Sequence, residues 1–132
     1  MKTNIEFVGK KKFKTRVRKH EVITDLPGIK GGDDTAPTPP ELLIVSLGTC
    51  VGYFVLGYLE TVKLDASGFS VDLDWEMSED RTRISKVAVS IKIPNAKLGN
   101  RKRAVIAVAK KCIIHQTLHH CPEITTSVSS AD

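Results

Sequence analysis

The sequence of 132 residues fits a single domain, 1–132, and its 41% hydrophobic and 27% charged residues are typical of a globular protein. The first residues lack the basic start, apolar core and small-residue cleavage site of a secretory signal. Three cysteines, an odd number, do not make the disulfide framework of a small secreted domain. We therefore expect a cytoplasmic protein, whose cysteines serve catalysis, metal binding or core packing.

The net charge of +5 is concentrated at the N-terminus. Residues 1–20 hold eight positive side chains against Glu6: Lys2, Lys10, Lys11, Lys12, Lys14, Arg16, Arg18 and Lys19. Such a patch could contact nucleic acid or anionic ligands. However, the chain has no helix-turn-helix pattern, no zinc-finger spacing and only 5% aromatic residues. A solvated strand face is the favoured interpretation, and we expect no nucleic-acid partner.

Residues 3–8 and 12–24 alternate between apolar and polar side chains, which predicts strands joined by a turn at Gly9-Lys10. The following stretch, 26–40, is rich in glycine and proline and is typical of a loop. It ends in Thr38-Pro-Pro-Glu41, which predicts a helix start: Thr38 can cap, Pro39 suits the first helical position, and Glu41 completes a capping box.

The next segment, Leu42–Leu59, contains no charge over 18 residues and so reaches the length of a membrane span. We reject a span because the segment is only just long enough, lies between Glu41 and Glu60, and contains three glycines. A helix that is apolar on all sides also suits the centre of a small protein, wrapped on every side. Gly48 and Gly52 allow close approach of another backbone, either in a tight core or across a dimer.

The rest of the chain predicts a hairpin, two helices and a final strand. Val71–Ser78 and Lys86–Ile93 alternate as strands, and Pro94 ends the second. Helices fit Leu98–Lys111 and Ile113–His119, and a last strand fits Glu123–Ser129 after Pro122. The order of strands, helix, hairpin, helix and strand indicates an α+β domain.

Each cysteine has a structural and a functional interpretation. Cys50 lies within the apolar helix, where a free cysteine is more often inert core than reactive. Cys112 follows Lys110 and Lys111, which favour its thiolate, whereas the end of a helix disfavours it. Cys121 lies in His119-His120-Cys121, and no Cys-x-x-Cys or His-x-x-x-His spacing supports these three as a metal site. We expect no metal and no bound cofactor.

Two motifs resemble the OsmC/Ohr superfamily. The run Pro37-Thr-Pro-Pro-Glu-Leu-Leu-Ile-Val-Ser-Leu-Gly-Thr-Cys50 is similar to the loop and helix that carry the family's peroxidatic cysteine. The run Ala109-Lys-Lys-Cys-Ile-Ile-His-Gln-Thr-Leu118 is similar to its second cysteine motif. The order of elements agrees along nearly the whole chain. The resemblance implies antiparallel sheets packed around a long central helix, in an intertwined homodimer.

The resemblance also implies a chemistry. Cys50 would attack a hydroperoxide as a thiolate and become a sulfenic acid. Cys112 would condense with it to a disulfide, which a cellular dithiol reduces. In the family an arginine and a glutamate poise the reactive thiolate. The candidates are Arg16 or Arg18, between which the spacing does not choose, and Glu41.

The sequence departs from the family pattern at the glutamate and at the second motif. The organic-hydroperoxide branch has its glutamate ten residues before the cysteine, where this chain has Pro40. Glu41 is nine before Cys50, on the far side of a helix, and so serves equally well as a cap. The second motif usually contains Cys-Pro, whereas Ile113 follows Cys112. The alternative function is a small-molecule-binding or redox-sensing member of this fold without significant turnover.

Overall fold

A computed structural model describes all residues, 1–132, and shows the expected α+β architecture. The chain forms two compact units, Met1–Val45 and Ser46–Asp132. The boundary falls within the long helix α1, Pro39–Thr61. The assignment of 1–132 to a single domain stays a prediction.

The first unit contains an antiparallel three-stranded sheet in the order β1 (Ile5–Gly9), β2 (Lys12–Val17) and β3 (His20–Thr24). The prediction of one strand over 12–24 was wrong. A two-residue turn at Arg18-Lys19 divides it, and Arg18 adopts the left-handed conformation with φ 56°. The alternation continues through the turn because Val17 pairs with His20. The pattern alone therefore did not reveal the reversal of direction.

The basic residues of β2 lie beside acidic residues on both neighbouring strands. Lys14 pairs in register with Glu6 of β1, and Arg16 pairs with Glu21 of β3. Lys14 Nζ also lies 3.8 Å from the carboxylate of Glu21. The charge of this sheet face is thus partly neutralised, as expected of a solvated strand face.

The loop after β3 is organised around the buried carboxylate of Asp25, which is 1% exposed. This side chain accepts hydrogen bonds from the backbone amides of Leu26, Asp33 and Thr35 and from the Thr35 hydroxyl. These bonds hold the pKa of Asp25 at about 2, and the Thr35 hydroxyl is the largest cause. The glycine- and proline-rich segment is therefore an ordered connection that leads into α1.

Helix α1 begins at Pro39, as predicted, and the Glu41 carboxylate accepts a 2.7 Å hydrogen bond from the backbone amide of Thr38. One stripe of the helix is buried: Ile44, Leu47, Val51, Val55 and Leu59. The other side is open, and Tyr53 is 75% exposed. Within one chain the helix is therefore covered on one face, not wrapped on every side.

By length and composition α1 could also cross a membrane, with a mean hydropathy of 2.0 over an 18-residue window. Core helices of globular proteins meet the same criterion. The buried stripe packs in a core with residues of the C-terminal helices, which is the environment of a core helix.

The second unit adds an antiparallel hairpin of β4 (Ser70–Met77) and β5 (Ile84–Lys92), in which Leu73 pairs with Val89. The glycines of α1 face this hairpin. A Cβ on Gly48 would lie 2.6 Å from Leu73 Cδ1, and one on Gly52 would lie 3.9 Å from Val71 Cγ2. The sequence left open whether these glycines serve a tight core or a contact across a dimer, and tight core packing accounts for these contacts.

Two helices follow, α2 (Lys102–Ala109) and α3 (Ile113–His119). The first begins later than predicted, because a short 3-10 turn occupies Gly99–Arg101. The predicted final strand, Glu123–Ser129, is not formed. Residues 121–132 have no regular structure and are exposed, and no strand lies beside them to complete a hydrogen-bonded ladder.

Candidate functional site: a hydrogen-bonded pair of thiols

Cys112 lies at the start of a helix and not at the end of one. It is the N-cap residue of α3, and its Sγ accepts a 3.3 Å hydrogen bond from the backbone amide of His115. Helix α2 ends three residues earlier, at Ala109. The conflict between favourable lysines and an unfavourable helix end is therefore removed, because Cys112 faces backbone N–H donors.

The Cys112 thiol is fully buried in the core against which the partly exposed Cys50 of α1 packs, and each thiol shifts the pKa of the other. Both thiols are free, with no disulfide. They meet because α1 and the C-terminal helices share one core, which includes Val51, Val105 and Ala109. Two residues 62 positions apart in the sequence are thus brought into direct contact by tertiary packing.

The two thiols have opposite pKa shifts. Burial raises the pKa of Cys50, but the hydrogen bond from Cys112 and the backbone amides of Ile114 and Ile113 outweigh it and hold that pKa below its ordinary value. For Cys112, burial and the hydrogen bond to Cys50 both raise the pKa. Of the two thiols, Cys50 is therefore the one that ionises first, and Cys112 is the one that keeps its proton.

The backbone amides of Ile113 and Ile114 were not identified as site groups from the sequence. The sequence did contain one signal for them, because Ile113 follows Cys112 where the family's second motif usually has proline. Proline has no backbone N–H, whereas Ile113 keeps one that is aimed at the Cys50 sulfur. The substitution that seemed to weaken the resemblance therefore adds a donor to the thiolate.

The other predicted site residues have different surroundings. Glu41 is exposed and caps α1 through the Thr38 amide. Arg16 is an exposed residue of β2, and Arg18 lies in the turn that follows it. All three belong to the first unit, whereas Cys50 belongs to the second. Their proposed role in activating the thiolate stays a prediction.

The histidine-rich end of the chain lies on and after α3. No group of three or more His, Cys, Asp or Glu side chains is placed to hold a metal ion. Cys121 is exposed, and its Sγ lies 3.7 Å from the Leu118 carbonyl oxygen. His119, however, lies against His115, with 4.5 Å between the ring centroids and the ring planes tilted by 31°. These two residues have the His-x-x-x-His spacing, which corrects our interpretation of the cluster.

Comparison with protein families matches residues 31–127 to the OsmC-like protein family. The match includes both thiols and nearly three quarters of the chain. The chain belongs to the OsmC-like family. A search of curated proteins finds no match.

Solved structures of OsmC and Ohr proteins share the fold of this OsmC-like chain. A protein from Psychrobacter arcticus, described as an osmotic stress induced and detoxification response protein, has a TM-score of 0.78 at 20% identity, over 87% of this chain and 85% of that one. An organic hydroperoxide resistance protein OsmC from Legionella pneumophila has a TM-score of 0.62 at 16% identity, over 89% of each chain. At these identities the likeness establishes the fold.

A third structure has a ligand in its active site. It is described as an organic hydroperoxide resistance protein from Vibrio cholerae with captopril bound in one of the active sites. Its TM-score is 0.65 at 17% identity, over 92% of this chain and 86% of that one. The fold of this OsmC-like chain is therefore one that carries an active site in a relative.

Proposed function

We propose that this OsmC-like protein is a thiol-dependent peroxidase that reduces organic hydroperoxides or hydrogen peroxide through Cys50 and Cys112. The observation that carries the proposal is the packing of the two thiols in one core, together with their opposite pKa shifts. One sulfur has the thiolate character of an attacking nucleophile. The other is kept protonated beside it, as a resolving thiol should be before the first step.

In the first step the Cys50 thiolate attacks one oxygen of the peroxide and breaks the O–O bond. The leaving alkoxide or hydroxide takes a proton and departs as alcohol or water, while Cys50 becomes a sulfenic acid. The Cys112 thiol, already hydrogen-bonded to Cys50, is the protonated group beside the reacting sulfur. Its proton can pass to the leaving oxygen in the same arrangement.

In the second step the Cys112 thiolate attacks the sulfur of the Cys50 sulfenic acid and displaces hydroxide, which takes a proton from solvent and leaves as water, so that a disulfide forms. A disulfide requires Cα atoms within about 7 Å, which suits two thiols in hydrogen-bond contact. A cellular dithiol then reduces the disulfide and becomes oxidised itself. The cytoplasmic location predicted from the sequence belongs to this proposal, because the cycle needs a supply of dithiols.

The proposal does not depend on an arginine and glutamate pair. The thiolate is stabilised by the Cys112 thiol and two backbone amides, which together outweigh the cost of burial. The second candidate, a binding or redox-sensing protein without turnover, is favoured by one observation. No cationic side chain is among the groups that lower the pKa of Cys50.

Peroxide titration of three cysteine variants tests the proposal. In Cys50→Ser we expect turnover to fall to background, because a serine without a base is not ionised at neutral pH. In Cys112→Ser one peroxide should still be consumed per chain. The sulfenic acid at Cys50 then persists or over-oxidises, and mass spectrometry shows added oxygen on the Cys50 peptide. Treated wild type should instead show a Cys50–Cys112 disulfide.

Cys121→Ser is the matched control, since this exposed thiol is not part of the pair. Its peroxide consumption should equal that of wild type, and a collapse of activity would reassign the resolving thiol. If Cys50 remains a free thiol in wild type and Cys112→Ser under excess peroxide, the binding protein is the correct alternative. Formation of the disulfide without repeated turnover in the presence of a dithiol would identify a sensor.

We also propose that the working form is a homodimer. Each unit leaves apolar surface uncovered within one chain. Ile5 and Phe7 of β1 are 64% and 63% exposed, and Tyr53 of α1 is 75% exposed. A second copy would bury such surface at roughly 25 cal/mol per Å². Sedimentation should give a dimer at micromolar concentration that Tyr53→Arg weakens; a stable wild-type monomer would exclude this assembly.

A further inference from the structure

We propose that His115 and His119 form a two-ligand site for a divalent transition-metal ion such as Ni²⁺ or Zn²⁺. Both residues belong to α3, four positions apart, so their side chains leave the helix on the same side. The ring centroids are 4.5 Å apart and the ring planes are tilted by 31°. Two imidazoles held this closely can present one nitrogen each to a single ion.

Both imidazoles are accessible. His119 is exposed and His115 is partly exposed, so an ion can enter from solvent and keep water in its remaining positions. Imidazole nitrogens are common ligands of such ions.

The placement of the site relates it to the thiols. His115 donates its backbone N–H to Cys112 Sγ, so the ion would bind one helical turn beyond the N-cap cysteine. Chelation across one turn stabilises α3, and the first amides of this helix are donated to both sulfurs. The buried Cys112 thiol is not a ligand in this proposal. The ion is separate from the peroxide chemistry.

Calorimetric titration of the peroxide-free, reduced protein with Ni²⁺ tests the site. Wild type should bind one ion per chain. His119→Gln should weaken binding by at least about tenfold, since even outer-shell partners of metal ligands contribute about 10- to 100-fold. His120→Gln is the matched control, because the His120 ring lies 3.2 Å from the Gln116 carbonyl oxygen and is not the ring that contacts His115. Cys121→Ser controls for the exposed thiol.

Both controls should bind as wild type does. A second measurement is the melting temperature, which Ni²⁺ should raise in wild type and in both controls but not in His119→Gln. The proposal is overturned if wild type binds no Ni²⁺, or if His119→Gln binds it unchanged. Loss of binding in His120→Gln or Cys121→Ser would also overturn it, because the ligands would then lie in the C-terminal tail. None of these results depends on peroxidase activity.

Discussion

Replacing Ile113 by proline removes one backbone N–H from the Cys50 sulfur and little else. Ile113 is the first residue of α3, where proline is favoured because its missing donor has no partner within the helix. Cys112 has φ −52° and ψ 135°, the extended conformation that a residue before proline adopts. The isoleucine side chain is 67% exposed, so its loss costs little packing. The fold should therefore accept the substitution.

The expected effect is a less acidic Cys50. A hydrogen bond to a charged group contributes about 1.5–3 kcal/mol. This sulfur also keeps the Cys112 thiol and the Ile114 amide, so we take the lower end of that range. About 1.4 kcal/mol corresponds to a tenfold change in the thiol–thiolate equilibrium. At pH values below the pKa of Cys50, the Ile113→Pro variant should thus be alkylated at Cys50 about tenfold more slowly than wild type.

The assay is the pH dependence of iodoacetamide labelling at the Cys50 peptide, followed by mass spectrometry. Ile113→Val is the matched control, because it shortens the side chain and keeps the amide. Circular dichroism and melting temperature confirm that all three proteins are folded alike. Identical labelling rates and pH profiles for Ile113→Pro and Ile113→Val would show that this amide does not stabilise the thiolate, and our account of Cys50 would be wrong.

The remaining predictions concern the loop of the first unit. Gly32→Ala should destabilise the protein by about 1–3 kcal/mol or more in urea unfolding, because a Cβ there would lie 1.9 Å from the Leu26 carbonyl oxygen. Gly28→Ala is the control and should leave the free energy of unfolding nearly unchanged, because nothing lies within 4 Å of its Cβ. Asp25 ionises with a pKa of about 2, against 3.8 ordinarily, so its carboxylate contributes stability above pH 4 that is lost as pH falls toward 2. Asp25→Asn should melt earlier at neutral pH and lose less stability over that acid range; an equal loss in both proteins would contradict the assignment.

The sequence determined the element types and most of their positions. Alternation over Val71–Ser78 requires a strand with one covered face, and the structure has β4 at Ser70–Met77. Thr38-Pro-Pro-Glu41 fixed the start of α1 because capping and proline are local effects of a few consecutive residues. For the same reason both cysteine motifs are recognisable in the sequence alone, since each is a run of consecutive residues.

Local rules failed where the partner of a segment is distant or missing. The strand predicted over Glu123–Ser129 did not form, because a strand exists only where another strand pairs with it through hydrogen bonds. The turn at Arg18-Lys19 kept the alternation in phase, so the pattern continued while the chain reversed. The charge-free run of α1 indicated burial, but which face is covered depends on what packs against it.

Only the tertiary structure decided the chemistry of the thiols. The sequence shows lysines before Cys112 and an apolar helix around Cys50, which would raise the pKa of Cys50 through burial. Packing of α1 against the C-terminal helices brings the two sulfurs into hydrogen-bond contact and turns the first amides of α3 toward them. Those donors are backbone N–H groups, which every residue except proline carries. Their direction, set by the fold, is what makes one of two similar thiols the more acidic.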